Sequence, residues 1–73
     1  MTEAPTRYAV LRCPSPGPPA LIAPPNDFAT LAEAEARIAA VEARARMAHH
    51  THLEVLHYRG SLHEALVARG ALR

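Results

Sequence analysis

The histidines are the residues of this sequence whose types and spacing first suggest a binding site. All five lie in one stretch from Met47 to His63, MAHHTHLEVLHYRGSLH. If the chain is extended from residue 50 onward, His50, His52 and Glu54 share one face, because alternate side chains of a strand point the same way. Two imidazoles and a carboxylate suit zinc or a similar transition metal, with water or a ligand from a second subunit completing the shell. The pattern predicts a metal site at these three residues, which a dimer could share.

The same histidines can be explained without a metal. His57 falls on the opposite face of the strand and His63 lies in the next predicted helix, so the five side chains do not converge. Their spacing matches neither a zinc finger nor the H-E-x-x-H motif. His49 and His50 would instead place potentially cationic groups at the C-terminal end of a helix, where the helix dipole favours them. A pH-dependent interface is a third interpretation, since histidines gain charge together below about pH 6.5.

No catalytic constellation accompanies these residues. Cys13 ends a predicted strand and faces the same way as Leu11, which is typical of a small apolar residue at the edge of a core. No oxyanion-hole motif stands near it, and the three glycines are too scattered for a phosphate-binding loop. A chain of 73 residues has little room for a substrate pocket unless subunits build one together. The sequence therefore favours a protein that is not an enzyme, with no cofactor apart from the alternative metal.

Length and charge narrow the class of protein further. The chain predicts one small domain over residues 7–73, preceded by a flexible lead at 1–6 and interrupted by a proline-rich loop, PSPGPP, at 14–19. A single cysteine excludes a disulfide within the chain and suits a reducing compartment. The net charge of +1 gives no electrostatic case for nucleic acid or membrane as a partner. No apolar run approaches the roughly 20 residues of a membrane span, so we expect a cytoplasmic protein.

Five secondary-structure elements are predicted. Alternating or apolar segments indicate strands at residues 7–13, 20–23 and 52–58, the second being an edge strand between proline pairs. Thr30 and Glu33 have the spacing of a capping box, and an apolar stripe then predicts a helix from about 31 to 48. A second capping box at Ser61 begins a short helix that Gly70 ends.

The order of these elements predicts the fold class. Strand, strand, helix, strand, helix is typical of a small two-layer α+β domain. If the second strand forms a hairpin with the first, the third strand lies on the far side of the first, which gives a three-stranded sheet in the order 2-1-3. The long helix then covers one face, and the short C-terminal helix packs on the sheet edge or joins a dimer.

The distribution of apolar residues on the strands suggests a function. Both long strands are apolar on both faces, and a chain this short is expected to leave part of one face uncovered. The sequence therefore predicts a non-catalytic protein-association module, which forms a homodimer or acts as an accessory subunit, regulator or inhibitor of a larger protein. The predicted contacts are Tyr8, Val10, Leu56 and Tyr58.

Overall fold

The computed structural model describes residues 4–44 and 51–71. It confirms the predicted fold class, a small α+β domain with a long helix and a short C-terminal helix on an antiparallel sheet. In chain order the described elements are β1 (Thr6–Pro14), β2 (Ala20–Leu21), β3 (Asp27–Phe28), α1 (Leu31–Arg44), β4 (Thr51–Arg59) and α2 (Leu62–Arg69).

β1 is the central strand of the sheet. β4 runs antiparallel to it along its whole length, with Tyr8 opposite His57 and Val10 opposite Val55. β2 and β3 lie end to end along the other edge of β1, opposite Leu11 and Tyr8 respectively. The predicted order, with the early edge strand on one side of β1 and the late strand on the other, is therefore confirmed. β3 was not predicted, because two residues are too few to show an alternating pattern.

α1 covers one face of the sheet. Thr30 begins the helix as predicted: its hydroxyl accepts a hydrogen bond from the Glu33 backbone N–H (3.2 Å) and donates one to the Glu33 carboxylate (2.9 Å). The apolar stripe of the helix then packs on the sheet, with Ala34 fully buried. This core cluster consists of Val10, Ile22 and Ala34, with Tyr8, Phe28, Ile38, Val41, Leu53 and Val55 packed around them.

α2 covers the opposite face of the sheet. Ser61 caps its first turn by accepting a hydrogen bond from the Glu64 backbone N–H, and Gly70 ends it in the left-handed conformation at φ 85°. Leu66 packs against Leu11 and Cys13 in a second core cluster, which Leu21, Leu56, Leu62 and Ala71 surround. The expectation that this helix would leave apolar sheet surface open was wrong. Among the described residues the exposed large hydrophobic side chains are Leu31 and Val67, and both belong to helices.

The ends of the elements differ from the prediction by a few residues. β1 begins one residue earlier, at Thr6, and the described part of α1 ends at Arg44. Residues 45–48 of the predicted helix lie outside the described residues. Neither described helix is long and apolar enough to cross a membrane.

Candidate functional site

The four residues predicted to contact a partner do not form one surface. Tyr8 and Val10 lie beneath α1, whereas Leu56 and Tyr58 lie on the face that carries α2. Val10 is fully buried and Tyr58 is 8% exposed. An association through these side chains would need one of the two helices to move away.

A second group of residues, the Cys13 cluster, brings three potential metal ligands together. It consists of Cys13 on β1 with His52 and Glu54 on β4, and one ligand atom of each lies within 4.8 Å of the others. The strand register explains the placement: Cys13 is directly opposite His52, and Glu54 is two residues further along the same face. Cys13 is buried, Glu54 is half-buried and His52 is exposed, so the cluster opens to solvent on its histidine side.

The Glu54 carboxylate is the most strongly bonded member of the Cys13 cluster. Arg69, in the last turn of α2, donates two hydrogen bonds to Oε2 of Glu54, from Nε at 2.9 Å and from Nη2 at 2.7 Å. The Cys13 thiol donates to the same oxygen at 3.8 Å. Burial raises the pKa of the Cys13 thiol above its ordinary value, and the negative charge of Glu54 raises it further. Arg69 opposes this rise but does not cancel it. The thiol is therefore protonated at neutral pH.

The predicted metal ligands are placed only in part. His52 and Glu54 share one face of β4, as the alternation indicated, while His50 lies outside the described residues. The third potential ligand beside His52 and Glu54 is Cys13. Sequence analysis had interpreted this cysteine only as a small apolar residue at the edge of a core. The signal that could have identified it was the pairing of the two long strands, since an antiparallel register brings the end of one strand next to the start of the other.

A polar network on the α2 face ties three strands together. Asp27 on β3 accepts a hydrogen bond from the Tyr58 hydroxyl at 2.8 Å and an ion pair from Arg7 at 3.2 Å. Arg7 and Tyr58 are directly opposite on β1 and β4. The network gives β3, which has only two residues, a fixed position on the sheet. Burial raises the pKa of Tyr58, and its hydrogen bond to Asp27 raises it further.

This raised pKa predicts how stability changes at alkaline pH. The folded chain favours neutral Tyr58. The contribution of Tyr58 to the stability of the fold is therefore complete below the ordinary tyrosine pKa of about 10, and it is lost as the pH rises through the raised pKa of Tyr58 in the folded chain. Tyr58→Phe should cost about 1.5 kcal/mol at neutral pH, because a hydrogen bond to a charged group is lost. The difference in melting temperature between wild type and variant should then shrink above about pH 10. A difference that stays constant up to pH values well above this range would contradict the prediction.

The outer edge of β4 is a further candidate for binding. β4 has nine residues, and among the described strands it pairs with β1 only. The other edge of the sheet is built from two strands of two residues each, and the segments before β2 and between β2 and β3 contain the prolines Pro16, Pro18, Pro19, Pro24 and Pro25. Natural sheets commonly shorten edges or place proline there to prevent pairing with other chains. β4 lacks both protections.

Comparison with known proteins identifies no relative. No protein-family model, no curated protein and no solved structure matches this chain. The functions considered below therefore depend on the geometry of the Cys13 cluster and of the β4 edge.

Proposed function

We propose that this chain is a non-catalytic protein-association module that pairs with a second copy of itself along the outer edge of β4. The observation that carries the proposal is a nine-residue strand, Thr51–Arg59, with one edge on β1 and the other without a partner among the described strands. Strand addition is a common mode of protein association, because the backbone hydrogen bonds of the new pair supply affinity.

The backbone hydrogen bonds of β1 indicate which groups of β4 point outward. The Val10 N–H donates to the Asn26 carbonyl and its C=O accepts from Ile22, so both groups of Val10 face away from β4. In an antiparallel ladder, hydrogen-bonded and non-hydrogen-bonded pairs alternate, and the Val10–Val55 pair is therefore of the second kind. It follows that Val55 presents its N–H and C=O at the outer edge. Leu53 and His57, two residues to either side, do the same.

A second copy fits this edge because β4 is compatible with its own sequence in reverse. A two-fold axis at Val55 places Val55 opposite Val55 of the other copy and Leu53 opposite His57. Each of these is an outward-facing position, as a hydrogen-bonded pair requires. The charged residues of β4, Glu54 and Arg59, come opposite Leu56 and Thr51, so no like charges face each other directly. Isologous pairing of this kind is the geometry of two-fold dimers, and it would extend the sheet across both subunits.

A pair of variants at one position tests the proposal. His57 is exposed, and its N–H faces outward, so His57→Pro removes a donor toward the second copy without removing one toward β1. His57→Ala removes the same imidazole but keeps the N–H. We expect wild type and His57→Ala to form dimers in sedimentation experiments. His57→Pro should be at least about tenfold weaker, because two backbone hydrogen bonds of about 1 kcal/mol each are lost per dimer.

Amide hydrogen exchange provides a test that does not depend on the folding of a variant. As the concentration of wild-type protein rises, the amides of Leu53, Val55 and His57 should become protected together. The amides of Glu54 and Leu56 already face β1 and should not change. A wild-type chain that stays monomeric at millimolar concentration would refute the proposal, as would equal dimerisation of both His57 variants.

A further inference from the structure

We infer that the Cys13 cluster is a binding site for one divalent transition-metal ion, with Cys13, His52 and Glu54 as its three protein ligands. The inference does not depend on pairing along the β4 edge. The Cys13 cluster consists of side chains on the face of the sheet that carries α2, whereas the β4 edge presents backbone groups. The inferred site differs from the site that the histidine spacing suggests, because a thiolate from β1 supplies a ligand from a second strand. The observation that carries it is the convergence of three different donor types within 4.8 Å.

The distances suit a zinc-sized ion. In a tetrahedral site with metal–ligand bonds of 2.0–2.3 Å, neighbouring ligand atoms are roughly 3.2–3.8 Å apart. Cys13 Sγ and Glu54 Oε2 are already separated by 3.8 Å. The other distances between ligand atoms of the cluster are at most 4.8 Å, so they must shorten by up to about 1 Å when an ion binds. A rotation of the exposed His52 side chain can supply this movement, while the two strands hold the backbone positions.

The donor set also selects the class of metal. A thiolate and an imidazole favour Zn²⁺, Co²⁺, Ni²⁺ or copper, whereas Mg²⁺ and Ca²⁺ prefer sites built wholly from oxygen ligands. Three protein ligands with solvent on one side leave a fourth position for water or for a ligand from a partner. On binding, the Cys13 thiol gives its proton to solvent and its sulfur electron pair to the metal.

Arg69 is compatible with a metal at this place. Its two hydrogen bonds and the thiol hydrogen bond all go to Oε2 of Glu54, and no described residue donates a hydrogen bond to Oε1. Arg69 therefore fixes the orientation of the Glu54 carboxylate, and Oε1 is open to share the ion with Oε2, the oxygen that lies 3.8 Å from Cys13 Sγ. Such outer partners of a metal ligand are common in protein metal sites. In this arrangement Arg69 is a positioning residue and α2 forms one wall of the site.

Titration of the full chain with Co²⁺ tests the inference directly, because cobalt reports its own ligands. A thiolate ligand gives a sulfur-to-cobalt charge-transfer absorption in the near ultraviolet, and a tetrahedral site gives intense visible bands. We expect both signals to saturate at one Co²⁺ per chain and to disappear when Zn²⁺ is added in competition. Cys13→Ser should remove the charge-transfer band. His52→Ala should weaken Co²⁺ binding more than about 100-fold, since changes to outer partners already cost 10- to 100-fold.

Two histidine variants distinguish this site from incidental binding by a histidine-rich chain. His57→Ala changes an exposed histidine on the opposite face of β4 and should leave the cobalt spectrum and affinity unchanged. His50→Ala should leave the charge-transfer band in place. Cobalt binding without a charge-transfer band, or binding that His50→Ala abolishes and Cys13→Ser does not, would overturn the inference. Since Cys13 is buried, the exposed His52 provides the deciding variant if Cys13→Ser fails to fold.

Discussion

Replacing Leu11 with alanine should lower the free energy of unfolding by about 3 kcal/mol, which lies within the range for a buried leucine. Leu11 has no exposed surface, lies in the central strand and packs against Cys13 and Leu66 beneath α2. A domain of 73 residues has a total stability of roughly 4–11 kcal/mol. The variant should therefore lose a large share of this stability, and its melting temperature should fall by about 15 °C or more in circular dichroism experiments.

Leu31→Ala is the matched control for this prediction. Leu31 is the same residue type, but it lies in the first turn of α1 and is 38% exposed. Alanine is also a better helix former than leucine, which offsets part of the lost contact. We expect the melting temperature of this variant to fall by only a few degrees. If the melting temperatures of Leu11→Ala and Leu31→Ala fell equally, the face of the sheet beneath α2 would not be a true core.

The elements with local signals were predictable from sequence. The capping residues Thr30 and Ser61 make the backbone hydrogen bonds that their spacing indicated, and Gly70 adopts the left-handed conformation expected at a helix end. The alternation within β1 and within β4 correctly separated the two sets of side chains of each strand, but it matched the two strands wrongly: Val10 shares the face beneath α1 with Val55, not with Leu56 and Tyr58. These signals are local because each depends on residues that are close together in the chain.

What sequence analysis missed depends on contacts between distant segments. The position of α2 is one example: its eight residues carry a weak apolar pattern, and nothing in the chain alone distinguishes the sheet edge from the open face. β3 is another, since Asp27 is held on the sheet by Arg7 and Tyr58 rather than by a strand pattern of its own. The Cys13 cluster is a third case, because it exists only once β1 and β4 have paired in the observed register.

Leu66→Ala should release α2 from the sheet without unfolding the rest of the domain. Leu66 is the buried residue of α2, and the helix is too short to persist in water without packing. The loss of about 2 kcal/mol of docking energy should make the open form about 30-fold more populated. Because α2 packs over Cys13, the rate at which a thiol reagent labels this cysteine should rise by a similar factor. The Val10 amide, which donates to Asn26 on the other side of β1, should keep its protection.

Val67→Ala separates this effect from a general weakening of the helix. Val67 is the next residue in α2 and is 51% exposed, so its removal costs little packing, and alanine is the better helix former. We expect the Cys13 labelling rate of this variant to match wild type. If Leu66→Ala exposes the Val10 amide and Cys13 to the same extent, then α2 and the sheet unfold as one unit. Since α2 covers the Cys13 side of the sheet, separate opening would mean that the stability of one short helix controls access to the thiol.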